Sequence, residues 1–181
     1  MQRAFLWLAQ PFKSQTVYFA GPSPTARRMT LHWTLKPYDE LTLTELYELL
    51  RLRIEVFVVE QNCPFQDLDR QDDRAYHLLG YTSTNELAAY ARLFDAGISY
   101  EQAAIGRVAV APAHRRHGVG QALMRQAIAQ CEVLYGPQPI KIGAQQYLER
   151  FYQGFGFVQC GAGYLEDGIP HIPMLRATNL T

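Results

Sequence analysis

The stretch AIGRVAVAPAHRRHGVGQALMRQAIAQCEVL, residues 104–134, runs from an almost unbroken apolar segment through a basic, glycine-bearing loop into a helix. Ala104 to Val110 has the make-up of a central strand covered on both faces. Pro112 breaks it, and Val119, Leu123, Ala127, Cys131 and Leu134 then fall on one stripe at helical spacing. A strand that feeds such a loop into a helix brings unpaired backbone N–H groups and a helix dipole to one spot. Arg115, Arg116 and His117 stand beside it, which makes an anion site. Gly118 and Gly120 permit close backbone approach or positive φ, so the N–H groups can cradle a pyrophosphate without a metal. Neither GxxxxGKS/T nor GxGxxG is present, so an ATP-type phosphate loop and a dinucleotide fingerprint are both unsupported. Taken alone, the loop also fits a basic helix N-terminus with two turn glycines.

Upstream, Leu31, Trp33 and Leu35 alternate with His32, Thr34 and Lys36, the period of a half-buried strand. Thr42 and Glu45 have capping-box spacing, and Leu46, Leu50, Ile54 and Phe57 continue a helix that fades near Val58. Gln61 to Arg74 has no period and predicts a loop. Tyr76 to Thr82 and Leu87 to Phe94, separated by Ser83, Thr84, Asn85 and Glu86, predict an antiparallel hairpin. Downstream, Ile140 to Gly143 predicts a strand and Gln146 to Phe155 a short helix. Phe157 to Cys160 and Ile172 to Leu175 predict closing strands.

The chain has 181 residues, 48% of them apolar, with 17 basic and 17 acidic side chains. Those proportions fit one globular domain, and zero formal charge removes the broad field that nucleic-acid binders use. No apolar stretch approaches the ~20 residues that span a bilayer. Three scattered cysteines, Cys63, Cys131 and Cys160, suit neither a disulfide framework nor a zinc knuckle. Free thiols point to a reducing compartment, hence the cytoplasm. Residues 1–28 carry only Arg3, Lys13, Arg27 and Arg28 as charges, and their apolar run is too short for a secretory signal. They read as an N-terminal extension, with the working domain over 29–181.

Val108, Val110 and Pro112, then Arg115-x-x-Gly118-x-Gly120, then Phe151-Tyr152 and Gly156-Phe157, together resemble the acetyl-CoA-binding core of the Gcn5-related N-acetyltransferase (GNAT) superfamily. VFVVEQNCPFQDLD (56–69), YARL (90–93), IGRV (105–108), FYQGFGF (151–157) and EDGIPHI (166–172) are similar to its ElaA-type branch. The resemblance spans nearly all of residues 31–176. It implies an α/β fold, a single domain with a mixed, largely antiparallel central sheet flanked by helices. It also implies that backbone groups of Val108, Ala109 and Val110 pair with the pantetheine arm, and that Arg115, Arg116, His117, Gly118, Val119, Gly120 and Gln121 hold the pyrophosphate. Gln145 stands where the superfamily often has a cofactor-contacting asparagine. Arg116 stands where many members have glycine.

Amine attack on a thioester expels a thiolate, and the Tyr152 phenol, with an ordinary pKa near ~10, can supply its proton. Packing beside Phe151 and Phe155 is the alternative role. An ammonium with a pKa of ~10.4 must also lose its proton before it attacks. Glu60 is the first candidate base, with Glu166 and His171 as rivals. The resemblance puts the 60–73 segment on the acceptor side of the cofactor, where Glu60, Asp67, Asp69, Asp72 and Asp73, opposed only by Arg70, predict an acidic rim for a cationic acceptor, with Asp69, Glu166 and His171 as substrate-binding candidates. His114 and His117 have no third ligand at metal spacing, so no metal is expected. Cys63 suits a buried apolar position. The expected activity is direct acetyl transfer from acetyl-CoA to a small-molecule or peptide primary amine in a ternary complex, with no nucleic-acid or membrane partner and a homodimer left open. A CoA-binding sensor and a protein-interaction module on the same fold are the alternatives.

Overall fold

The computed structural model describes residues 30–178. The extension expected over 1–28 lies outside the described residues.

Strand β1 (His32–Pro37) pairs antiparallel with β2 (Tyr76–Tyr81), Trp33 lying opposite Gly80, where a side chain would strike the indole. Between them, α1 (Leu43–Arg53) opens on the expected capping box. The Glu45 N–H donates to Thr42 Oγ1 at 3.2 Å, and the Thr42 N–H donates to Glu45 Oε2 at 2.8 Å. Such a cap contributes about 1 kcal/mol. The fading of the helical pattern corresponds to a π-helical turn, Ile54–Val59, that delivers Glu60 and Gln61 to the start of the loop.

The hairpin of β2 with β3 (Leu87–Phe94) continues into β4 (Ala103–Val110), again antiparallel. Helix α2 (Val119–Tyr135) returns the chain to β5 (Ile140–Gln145), followed by a 3-10 turn and α3 (Glu149–Gln153) in place of one helix over 146–155. β6 (Phe157–Gln159), β7 (Tyr164–Glu166) and β8 (Ile169–Arg176) close the domain. The sheet order is β1-β2-β3-β4-β5-β8-β6, with β7 on β8. Every pairing is antiparallel except β4 with β5. This is the mixed, largely antiparallel α/β domain expected.

Strand alternation covers both faces. Leu78, Ala89 and Ala91 pack with Val119, Leu123, Met124 and Ala127 of α2 on one side, while Leu79, Leu87 and Tyr90 pack with Leu49, Leu52 and Val56 on the other. Those two layers position the site, because they clamp β4 by its faces and leave one edge partly free. β4 pairs with β5 only at Ala103–Ile140 and Ala104–Lys141, after which the parallel strands diverge. Gly106, Arg107 and Val108 are accordingly only half-buried, so the expected full cover of this strand holds at its start and not at its middle.

Candidate active site

The divergence opens a cleft of about 770 Å³ whose walls include Val108, Ile142, Gln145 and Tyr152 on one side and Gln61, Phe65, Asp69 and Arg107 on the other. Glu166 and Asp167 at the β7–β8 turn and His171 of β8 line it as well.

Along the free edge of β4, hydrogen-bonding phase decides which groups are available. The Ala111 N–H donates to the Ala88 carbonyl at 2.9 Å, so in the register Ala89–Val110, Tyr90–Ala109 the alternation of an antiparallel ladder turns Val110 and Val108 away from β3 and Ala109 toward it. Of the three residues expected to meet pantetheine, Ala109 therefore has its backbone groups engaged by Tyr90. Val108 faces the cleft, while the Val110 carbonyl, also turned away from β3, accepts from Arg115 Nε. The register breaks between Tyr90 and Arg92, where Arg107 takes a left-handed φ of 50°. A bulge with a non-glycine residue in that region costs on the order of 1–3 kcal/mol unless its surroundings hold it.

The phosphate loop has two left-handed residues, Arg116 (φ 67°) and Gly118 (φ 76°). Gly118 takes the positive φ expected of it, Arg116 takes one as well without being glycine, and Gly120 is helical, where a Cβ would stand in ordinary contact with Val110 and Phe151. Helix α2 starts with no side-chain cap and no acid in its first turn, so the N–H groups of Val119, Gly120 and Gln121 face outward unpaired by the helix. This edge and loop fit an extended chain ending in a pyrophosphate. They do so by turned-out backbone groups and an uncapped helix end. Arg115 folds back instead of reaching out: its Nε donates to the Val110 carbonyl at 3.1 Å, and its two terminal nitrogens donate to Glu60 at 2.7 Å each. Glu60 consequently has both carboxylate oxygens engaged, lies outside the cleft lining, and is poorly placed to take a proton from an amine.

Tyr152 lines the cleft from α3 while packing edge-on against Phe151 and Phe157. Burial pushes its phenol well above the ordinary range, which keeps the proton on at neutral pH. The same shift makes the phenol a weaker acid, so it is the place of Tyr152 on the cleft, beside its packing, that keeps it a candidate proton donor. Gln145 Nε2 donates to Gln61 Oε1 at 2.8 Å, linking the end of β5 to the opposite loop.

The acidic rim is the largest correction. Asp67, Asp69 and Asp72 bind Arg53, Arg92 and Arg107, three arginines brought from α1, β3 and β4. Arg70, the one cation of the segment itself, has no part in this. Burial raises the Asp69 and Asp72 carboxyls, but the guanidiniums of Arg92 and Arg107, and of Arg53 and Arg92, outweigh it and hold both below the carboxylate range. A neutralised cluster of this kind does not attract cations. Among the described residues, the carboxylates lining the cleft outside the ring are Glu166 and Asp167 at the β7–β8 turn, and Glu166 is exposed. His171 there stacks on Tyr164 at 5.7 Å, and its Nδ1 lies 2.8 Å from the Ile169 carbonyl. That carbonyl can only accept, which puts the proton on Nδ1 and leaves the Nε2 lone pair available.

One of these features has a local signal in the sequence. Asp167-Gly168 is a two-residue hairpin signal, and both residues take left-handed φ (50° and 81°), joining β7 to β8. The arginine partners left no local signal. Cys63 is buried, its thiol 3.5 Å from the Asp167 carbonyl. His114 lies 3.6 Å from Glu86, and among the described residues no three potential ligands gather for a metal.

The profile of the acetyltransferase (GNAT) domain matches residues 43–177. The chain belongs to the GNAT acetyltransferase family. Protein ElaA of Escherichia coli (strain K12) is 45% identical over 148 residues, covering 81% of this chain and 96% of ElaA. The crystal structure of Escherichia coli ElaA aligns with a TM-score of 0.75 at 44% identity over 81% of this chain and 99% of that one. A crystal structure of an acyl-CoA N-acyltransferase from Pseudomonas aeruginosa aligns with a TM-score of 0.78 at 45% identity, covering 82% of this chain and 100% of that one. Within the family, the chain is of the ElaA type. No helix among the described residues is long and apolar enough to cross a membrane.

Proposed function

We propose that the protein is a cytoplasmic N-acetyltransferase that moves acetyl from acetyl-CoA to a primary amine by direct transfer in a ternary complex. The observation that carries this is the split between β4 and β5, which leaves Val108 on a cleft that Tyr152 also lines. Acetyl-CoA supplies the activated thioester. Val110 and Val108 align its arm as an added strand, and the amides from about Arg116 to Gln121 hold its pyrophosphate. The Val108 N–H is placed to polarise the acyl carbonyl, and Tyr152 gives its retained proton to the departing thiolate. Among the candidate bases, His171 has the free lone pair and a place on the cleft wall, so it takes the amine proton. Glu60 and Asp69 are committed to arginines, and Glu166 lies beside His171 as an acceptor-binding group. Holding both reactants in one cleft supplies much of the rate.

Thiol release from acetyl-CoA is the test, across polyamines, aminosugars, amino acids and peptide N-termini. Release with at least one class is the expected result. Tight binding of acetyl-CoA with no release by any amine identifies a sensor, and absence of any CoA-induced thermal shift identifies a protein-interaction module.

A further inference from the structure

The loop from Gln61 to Arg74 contains one short 3-10 turn and no strand, yet it forms a wall of the cleft. Six charged side chains hold it in a closed ring of alternating sign. Arg53 Nε donates to Asp67 at 2.8 Å, and Arg107 Nε donates to the other oxygen of Asp67 at 2.8 Å. Arg107 reaches Asp69 at 3.3 Å, and Arg92 grips both oxygens of Asp69 at 2.6 and 2.8 Å. Asp72 accepts from Arg92 at 2.9 Å and from Arg53 at 2.6 Å, which closes the ring. The Asp67 carbonyl accepts from Arg53 and Arg107 as well.

The ring is graded in burial. Arg53 and Asp67 have no exposed side-chain surface, whereas Arg107 and Asp69 are each 22% exposed and line the cleft. Arg107 is also the bulged residue of β4, with its φ of 50° in a region that a β-strand arginine does not adopt unaided. The next residue is Val108, whose N–H the ladder turns toward the cleft. A two-point hold on the side chain of Arg107 therefore fixes the backbone one residue before the group that meets the acyl carbonyl, and Phe65 under its guanidinium (5.7 Å) limits it further.

We propose that Arg107 is a positioning residue for acyl transfer. Locked by Asp67 and Asp69, it holds the β4 bulge in the conformation that keeps the Val108 N–H aimed at the thioester carbonyl. This rests on the acetyltransferase reading above and gives the ring a task within it. A purely structural ring would cost stability when broken but would leave the bound carbonyl unaltered.

The experiment is isotope-edited infrared spectroscopy of carbonyl-13C-labelled acetyl-CoA bound to the full chain, alongside calorimetric titration with CoA, which lacks the acyl group. Bound to the wild type, the carbonyl band is expected below its position in free acetyl-CoA. In Arg107→Gly, which accepts the left-handed φ without strain but has no tether, and in Arg107→Gln, at least half of that displacement is lost while CoA affinity changes less than threefold. Arg107→Lys, which keeps the charge but not the fork, falls between. Full displacement in Arg107→Gly together with a lowered melting temperature overturns the positioning role, and so does a loss of CoA affinity as large as the loss for acetyl-CoA. A wild type that fails to bind acetyl-CoA overturns the acetyltransferase reading itself, and a wild type that binds it with no band displacement overturns this inference alone.

Discussion

The two sides of the candidate site are built on different principles. The wall that starts at Val108, on the cleft, and runs on beyond it to Gln121 is made of backbone: a strand edge, two left-handed residues and an uncapped helix end, all contiguous in the chain. The wall from Gln61 to Arg74 is made of side chains whose partners come from α1, β3 and β4. A backbone-built wall needs only local conformation, so glycine and proline placement announces it. A wall built of ion pairs exists only after the sheet has set its register. The first tolerates side-chain exchange at most of its positions, and the second depends on every member of the ring.

Removing one charge from the buried ring tests that dependence most severely. Asp67→Asn breaks the fully buried member of the ring, leaving Arg53 with Asp72 as its remaining charged partner, and is expected to cost about 3–5 kcal/mol, the cost of removing one partner of a buried ion pair. Chemical unfolding of the two proteins checks it, and a loss under about 1 kcal/mol would mean that the ring is not a structural unit. Its pH dependence has a definite sign. Asp69 and Asp72 are held below their ordinary 3.8 in the folded state, so their contribution is complete above that value and is lost as pH falls through the lowered one. Acid titration of stability should bring the wild type and Asp72→Asn together at the low-pH end.

On the opposite wall the largest effect is chemical. Tyr152→Phe keeps the aromatic packing with Phe151 and Phe157 and removes only the proton. Turnover at saturating substrates should fall by roughly a hundredfold or more, with acetyl-CoA affinity nearly unchanged. Unchanged turnover, where chemistry limits the rate, would return Tyr152 to a packing role.

The contrast between the walls also explains what sequence reasoning reached. The capping box of α1, the β2–β3 hairpin and the strand–loop–helix of β4 and α2 are written within a few residues each, and they stand as expected. The acids of the 60–73 segment were visible, but their meaning depended on Arg53, Arg92 and Arg107, whose proximity only sheet pairing creates. Counting Arg70 as the sole opposing cation was the error of a one-dimensional view. Glu60 failed for the same reason, because nothing local announces that Arg115 folds back across the end of β4. The β7–β8 turn differs: Asp167-Gly168 is a local signal, but the exposed Tyr164–Glu166 strand lacks the alternation that marks a strand.

A smaller effect sharpens the account of the backbone wall. Gly118 has open space around it, so a side chain there meets no neighbour and the whole cost arises from its φ of 76°. Gly118→Val, with a β-branched residue unsuited to that region, should weaken CoA binding about tenfold, or about 1.4 kcal/mol. Gly120→Val at the neighbouring glycine acts differently, by pressing on Val110 and Phe151 from a helical position. Equal CoA affinity for Gly118→Val and the wild type, by calorimetric titration, would show that the loop is not held in the left-handed form when it binds.

The smallest expected effect concerns the ion pair that joins the end of the π-helical turn to the phosphate loop. Glu60 and Arg115 form a two-point ion pair, but both are more than a third exposed, so the pair contributes no more than about 1 kcal/mol to stability and is screened by salt. Glu60→Gln should therefore unfold within that margin of the wild type. Its effect on binding has the opposite sign: the substitution removes a negative charge beside the phosphate loop and frees Arg115 for an anion. CoA affinity should then rise by roughly twofold to fivefold at low ionic strength, with the gain disappearing as salt is added, and turnover should stay near that of the wild type. A tenfold fall in turnover at unchanged CoA affinity would mean that Glu60 leaves Arg115 during the reaction and accepts the amine proton after all. In that case His171→Gln should be nearly silent, because the wild type would carry its base on the cofactor side of the cleft.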